Sequence, residues 1–144
     1  MRFILLSLAI FISSHSPVYA GDMFDYFETG TWGSNQLPNG TCAVNPIKIS
    51  FSKDRRRAIL TAPKMQMDYR GREQKSFDYD IISFDKDGIV MRLDDEQRLT
   101  PDGETVIWVL KPLLDHMFCW GRTDWPSTGC IVIHVRCPEL PPIS

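Results

Sequence analysis

Short runs of alternating apolar and polar residues recur from residue 47 to residue 135, each closed by a turn signal. Ile47, Ile49 and Phe51 alternate with Lys48 and Ser50, just after Pro46. Residues 58–61 form a second apolar run beyond the charged turn Ser52-Lys53-Asp54-Arg55. Met65, Met67 and Tyr69 alternate with Gln66 and Asp68, and Phe77, Tyr79 and Ile81 alternate with Asp78 and Asp80. A period of two is that of a strand with one buried face. After Ile81 the apolar phase slips to Ile82 and Phe84, the mark of an extra residue in a β-bulge. Asp87-Gly88 then turns the chain into Ile89, Met91 and Leu93. Residues 97–100 read as a short polar strand. Pro101-Asp102-Gly103 leads into residues 106–110, apolar on both faces and so expected to be buried on both. Residues 117–120 and 131–135 complete the series.

No window carries a strong helical period; the best, residues 23–29, allows at most two turns. Eight or nine short strands joined by short turns predict an all-β antiparallel meander. In a chain of this size the expected form is an up-and-down β-barrel of about eight strands with a short N-terminal helical turn, with a β-sandwich as the alternative. Closure into a barrel also removes the exposed edges on which other chains could pair. The chain shows no repeat, linker or low-complexity stretch, so residues 21–144 read as one domain.

Composition excludes a disordered chain, since 43% of the residues are hydrophobic and 11% aromatic. The first twenty residues stand apart from the rest. Met1-Arg2 precedes an apolar stretch over residues 3–12, and Val18-Tyr19-Ala20 places small residues before Gly21. That stretch is about half the ~20 residues needed to cross a bilayer. Residues 1–20 therefore read as a cleaved secretory signal, and the product as periplasmic or secreted, without stable membrane insertion. This leader holds one Arg and no acid, leaving 15 basic and 18 acidic residues in the remaining 124, a net charge of −3. A negative balance of that kind argues against nucleic acid as a partner. Four cysteines in a small exported domain predict two disulfides, for which three connectivities exist. Cys119 and Cys130 flank a Gly/Pro-containing loop and can face each other across a hairpin, which leaves Cys42 to Cys137. The absence of a CxxC pair argues against zinc, and no other metal or cofactor is implied.

Gly30-Thr31-Trp32 sits just inside the expected mature N-terminus, after the helical turn and before the first strands. The segment resembles the opening of the lipocalins. That resemblance implies an eight-stranded up-and-down barrel closed at one end by Trp32, with an Arg from the last strand region, Arg136 or Arg122, packed over it. It also implies a bridge from near the C-terminus to the barrel body, and a small apolar ligand inside. Met65, Met67, Phe77, Tyr79, Met91 and Trp108 are the expected barrel-lining residues.

Other candidate chemistry is thinner. Ser127-Thr128-Gly129-Cys130-Ile131 resembles the nucleophile segment of L,D-transpeptidases, with His116 as the one base in position, but Met117 and Val132 stand where that family has Gly and Arg. Asp85-Lys86-Asp87-Gly88 opens like a calcium loop and fails at Ile89 and Val90. Asn39-Gly40-Thr41 matches an N-glycosylation triplet, and Arg55-Arg56-Arg57 reads as a solvated turn or a cationic rim. The densest segment is residues 119–126, where Trp120, Arg122, Asp124 and Trp125 are held in a loop that a disulfide would pin. Trp and Arg are the side chains most enriched in binding hot spots. The expected function is therefore a non-enzymatic binding protein that engages a protein partner through this loop, as small periplasmic lysozyme-inhibitor barrels do. A lipocalin-like carrier of a small apolar ligand is the alternative, and a transpeptidase-like cysteine enzyme the second.

Overall fold

The computed structural model describes residues 22–114 and 116–139, so the expected leader lies outside the described residues. Helix α1 (Met23–Glu28) starts at Asp22, whose carboxylate accepts the Phe24 backbone N–H at 3.0 Å. Eight strands follow: β1 (Trp32–Gly33), β2 (Lys48–Phe51), β3 (Arg57–Met67), β4 (Glu73–Asp85), β5 (Gly88–Leu93), β6 (Trp108–Leu113), β7 (Met117–Arg122) and β8 (Ile131–Arg136). All pairs are antiparallel, in the order β1-β8-β7-β6-β5-β4-β3-β2. The two ends of that sheet meet where Trp32 and Ile47 exchange backbone hydrogen bonds of 2.8 Å in both directions. The result is a nearly closed up-and-down barrel, not a sandwich.

The alternation of apolar residues places most strands correctly, and the differences have local causes. Residues 58–61 and 65–69 were expected as two strands. Residues 58–67 lie in the single strand β3, whose pairing with β4 shifts register between Thr61 and Gln66, while Asp68 and Tyr69 lie beyond its end. The phase slip after Ile81 is a bulge, because Ile81 pairs with Met91 while Ser83 pairs with Val90, leaving Ile82 unopposed. Residues 97–100 form no strand; only Leu99 bridges to Thr105, across the Pro101-Asp102-Gly103 turn. Strand β6 begins at Trp108 rather than Val106 and runs on through Pro112, which faces Phe118 of β7.

One barrel end is filled by aromatic side chains. Helix α1 sends Phe27 into the interior against Trp32 and Phe118, with Phe27 edge-on to Phe118 at 5.7 Å and Trp32 edge-on to Phe118 at 5.0 Å. Phe24 packs edge-on against Phe51 and Phe84 on the β2 side. Edge-to-face pairs of this kind contribute about 0.5–1.5 kcal/mol each beyond the area they bury. The buried indole N–H of Trp32 donates to the Phe27 carbonyl at 2.9 Å, so burying it leaves no donor unmet. Arg136, not Arg122, lies over the Trp32 ring at 4.8 Å and donates to the Tyr26 carbonyl at 2.7 Å. The stem of Arg136 passes Gly30, whose φ of +81° suits a residue without a side chain.

Both expected disulfides are formed, Cys42–Cys137 and Cys119–Cys130, with Cα–Cα distances of 5.4 and 5.7 Å. Gly33 allows the first: a Cβ there would stand 2.4 Å from the Cys42 backbone nitrogen. The two bridges close loops of very different length, with sequence separations of 95 and 11. In the chain-entropy model the longer bridge stabilises by about 2 kcal/mol more. Replacing Cys42 and Cys137 with Ser should therefore lower the urea-unfolding free energy more than the same change at Cys119 and Cys130. Equal losses would show that loop entropy does not govern either bridge.

Candidate functional site

The plugged end is sealed by α1, the β2–β3 turn and the β6–β7 hairpin. The Tyr26 hydroxyl donates to the Met117 carbonyl at 2.7 Å, and Asp22 pairs with Arg55, whose guanidinium also covers Phe24. At the opposite end the barrel stays open between the 34–46 connector, the β3–β4 hairpin, the 94–107 loop and the 123–130 loop. There the inner face forms a cup of about 290 Å³. Leu60, Ala62, Phe77, Tyr79, Leu93, Trp108 and Trp120 make its apolar wall.

The two charged residues that line the cup, Asp68 and Arg98, are already paired. Arg98 makes a two-pronged contact with Glu96, at 2.7 and 2.6 Å, and the same carboxylate accepts the Trp108 indole N–H at 3.0 Å. The Glu96 side chain has no solvent exposure, and that burial opposes ionisation. The hydrogen bonds from Arg98 and Trp108 outweigh it and hold the carboxyl below its ordinary range. The Arg98 guanidinium is sandwiched between Tyr69 at 4.0 Å and Trp108 at 5.0 Å. On the β3–β4 hairpin, Asp68 is taken up by Arg72 and by the backbone N–H groups of Arg70 and Arg72.

Of the neutral polar residues Thr61, Gln66, Tyr79 and His134, all lining the cup, the last two are buried. Tyr79 is nine-tenths buried and stacks on Trp120 at 5.8 Å, and no described residue hydrogen-bonds its hydroxyl. Burial pushes that hydroxyl's pKa up, so it remains a donor. His134 lies flat on Phe118 at 4.5 Å, between the plug and the cup. Its Nδ1 is 3.0 Å from the Val132 carbonyl, which assigns the proton to Nδ1 and leaves Nε2 as an acceptor. Burial drives its pKa down to about 4, against a smaller opposing effect of that hydrogen bond.

The structure divides the expected site residues. Phe77, Tyr79 and Trp108 line the cup, Met67 lies at its rim, and Met91 is in the core but not in the cup. Met65 is not a lining residue: it is 56% exposed, in the stretch of β3 between Thr61 and Gln66 where the register of pairing with β4 shifts. Of the loop residues, Trp120 belongs to the cup wall, and Arg122 is engaged with Asp124 through bonds of 2.8 and 2.7 Å. Trp125 meets Trp108 edge-on at 6.3 Å and lies under the Arg122 guanidinium. Lys111 anchors this loop by donating to the Ser127 and Gly129 carbonyls. Arg57 is held by Asp80 and Asp94, so the arginine triplet does not serve the cup. Cys130 is bridged to Cys119.

Tyr69, Glu96, Arg98 and His134 went unrecognised in the sequence. For His134 a signal existed, since it shares the parity of Val132 on β8; for the Glu96–Arg98 pair only folding brings Tyr69 and Trp108 alongside. Comparison with protein-family models, curated proteins and solved structures finds no significant match.

A folded-state pKa of about 4 for His134 means that the unfolded chain binds the extra proton as pH falls below about 6.5. Its contribution is intact above pH 6.5 and is lost as pH falls toward 4. Between pH 7 and 5 the native state should lose roughly 2 kcal/mol from this residue. Urea unfolding of the wild type and His134→Phe at both pH values tests this; an equal pH dependence in the two would refute it.

Proposed function

We propose that this is an exported, non-enzymatic binding protein of lipocalin-like build, whose open end holds a small apolar ligand. The observation that carries the reading is the apolar cup of about 290 Å³, in which both charged lining residues, Asp68 and Arg98, are already neutralised by partners. Its volume stands at the lower edge of the ~300–1,000 Å³ typical of ligand sites, which points to a small guest. Two disulfides, and the absence among the described residues of a helix long and apolar enough to cross a membrane, are compatible with export into an oxidising compartment. Trp32 under Arg136 supports the lipocalin-like reading. The bridge at Cys130 removes the thiolate that a transpeptidase-like mechanism requires, which favours a non-enzymatic role.

A second reading keeps the protein partner. Leu37, Met67, Tyr69 and Ile131 line the cup while remaining more than a third exposed. A partner that inserts one side chain into the cup would cover them. Residues 119–122 lie in strand β7 rather than in a loop; the end of β7 and the loop after it would form one wall of that interface, through Trp120 and Trp125, with Arg122 and Asp124 holding its shape.

Titration of the purified mature protein with the neutral two-ring fluorescent probe 1-aminonaphthalene tests the first reading. Saturable binding should change the emission of Trp108 and Trp120. Ala62→Phe, which fills the cup from β3, should weaken binding by roughly tenfold, about 1.4 kcal/mol, without lowering Tm. Undiminished binding to that variant would place the probe elsewhere and overturn the cup as the site.

A further inference from the structure

We infer that the cup selects an uncharged, planar aromatic molecule of one or two rings bearing a hydroxyl or ring N–H, rather than a flexible aliphatic chain or an anion. The inference rests on the proposed reading of the cup as a ligand site and adds the chemical class of the guest.

Three observations carry it. The wall is aromatic and its rings are held rigidly: Tyr79 stacks on Trp120, and Trp108 meets Trp120 edge-on at 6.1 Å. Such a wall favours a flat guest, which can stack on it without losing internal rotations. The Tyr79 side chain is nine-tenths buried and lines the cup, and its hydroxyl keeps some accessible surface and has no hydrogen-bond partner among the described residues. A guest that accepts from this hydroxyl inside the cup gains a hydrogen bond that an all-carbon guest cannot make. His134 supplies the complementary acceptor at Nε2, because its Nδ1 proton is committed to Val132. A single hydroxyl on the guest can accept from the tyrosine or donate to the histidine.

Charge is excluded by the same geometry. Arg98 and Glu96 satisfy each other bidentately, and Asp68 is met by Arg72 and two backbone N–H groups. An anion entering the cup would lose its hydration and find no free cation among these groups. The Tyr79 hydroxyl and neutral His134 cannot replace one.

Competition against 1-aminonaphthalene at pH 7.4 with 2-naphthol, naphthalene, 2-naphthoate and 1-octanol tests the class. The expected order is 2-naphthol first, naphthalene next, and the carboxylate and the alkanol at least about tenfold weaker than 2-naphthol. Tyr79→Phe keeps the ring on Trp120. It should weaken 2-naphthol by about three- to tenfold, the worth of one neutral hydrogen bond, and leave naphthalene unchanged. Equal competition by 1-octanol or 2-naphthoate, or an unchanged 2-naphthol affinity in Tyr79→Phe, would overturn the inference while leaving the cup as a binding site. Failure of the probe and of all four competitors to bind would overturn the ligand-cup reading itself.

Discussion

Trp32 is hydrogen-bonded through its backbone to Ile47 while its own short strand pairs with β8, so two residues of β1 join the first and last parts of the sheet. Without that contact, β8 and β2 would both present unpaired backbone edges. The ring of Trp32 faces inward at the same point, where Phe27, Phe118 and Arg136 enclose it. Closure of the backbone and closure of one barrel end therefore depend on a single residue. The Cys42–Cys137 bridge fastens the same corner, beside Gly33 and directly after β8.

This one-sided plug makes the barrel polar along its axis. Large rings occupy the α1 end, so the cup can form only at the other, where longer loops leave space. The 94–107 loop supplies Glu96 and Arg98, and the 123–130 loop supplies Trp125 over Trp108. Each of these groups is tied to a strand residue, which keeps the mouth shaped without a guest. A pre-formed apolar cup loses little conformational entropy on binding, which suits it to weakly functionalised ligands.

The strands were readable because their apolar residues alternate with the pleat, and the bulge at Ile82 was readable because that alternation slips there. The failures share a different cause. Leu99 and its neighbours have strand-like composition but lie in a turn-bounded excursion with a single bridging pair. Met65 obeys the same period as Met67, yet the period does not say which face is inside when the register shifts nearby. Trp120 and Trp125, both between the cysteines of one disulfide, part company: Trp120 joins the cup wall, and Trp125 packs against Trp108 without lining the cup.

By itself the sequence determined the all-β class, most of the strand positions, the bulge, and the pairing of the four cysteines within a hairpin-and-ends scheme. Each of these follows from local periodicity, turn chemistry or residue type. Only the tertiary structure decided that Arg136 rather than Arg122 covers Trp32, that the interior is plugged at one end and hollow at the other, and that Arg98 and Arg122 are neutralised. Those outcomes depend on which side chains from distant strands meet, and on whether each charge finds a partner once water is excluded.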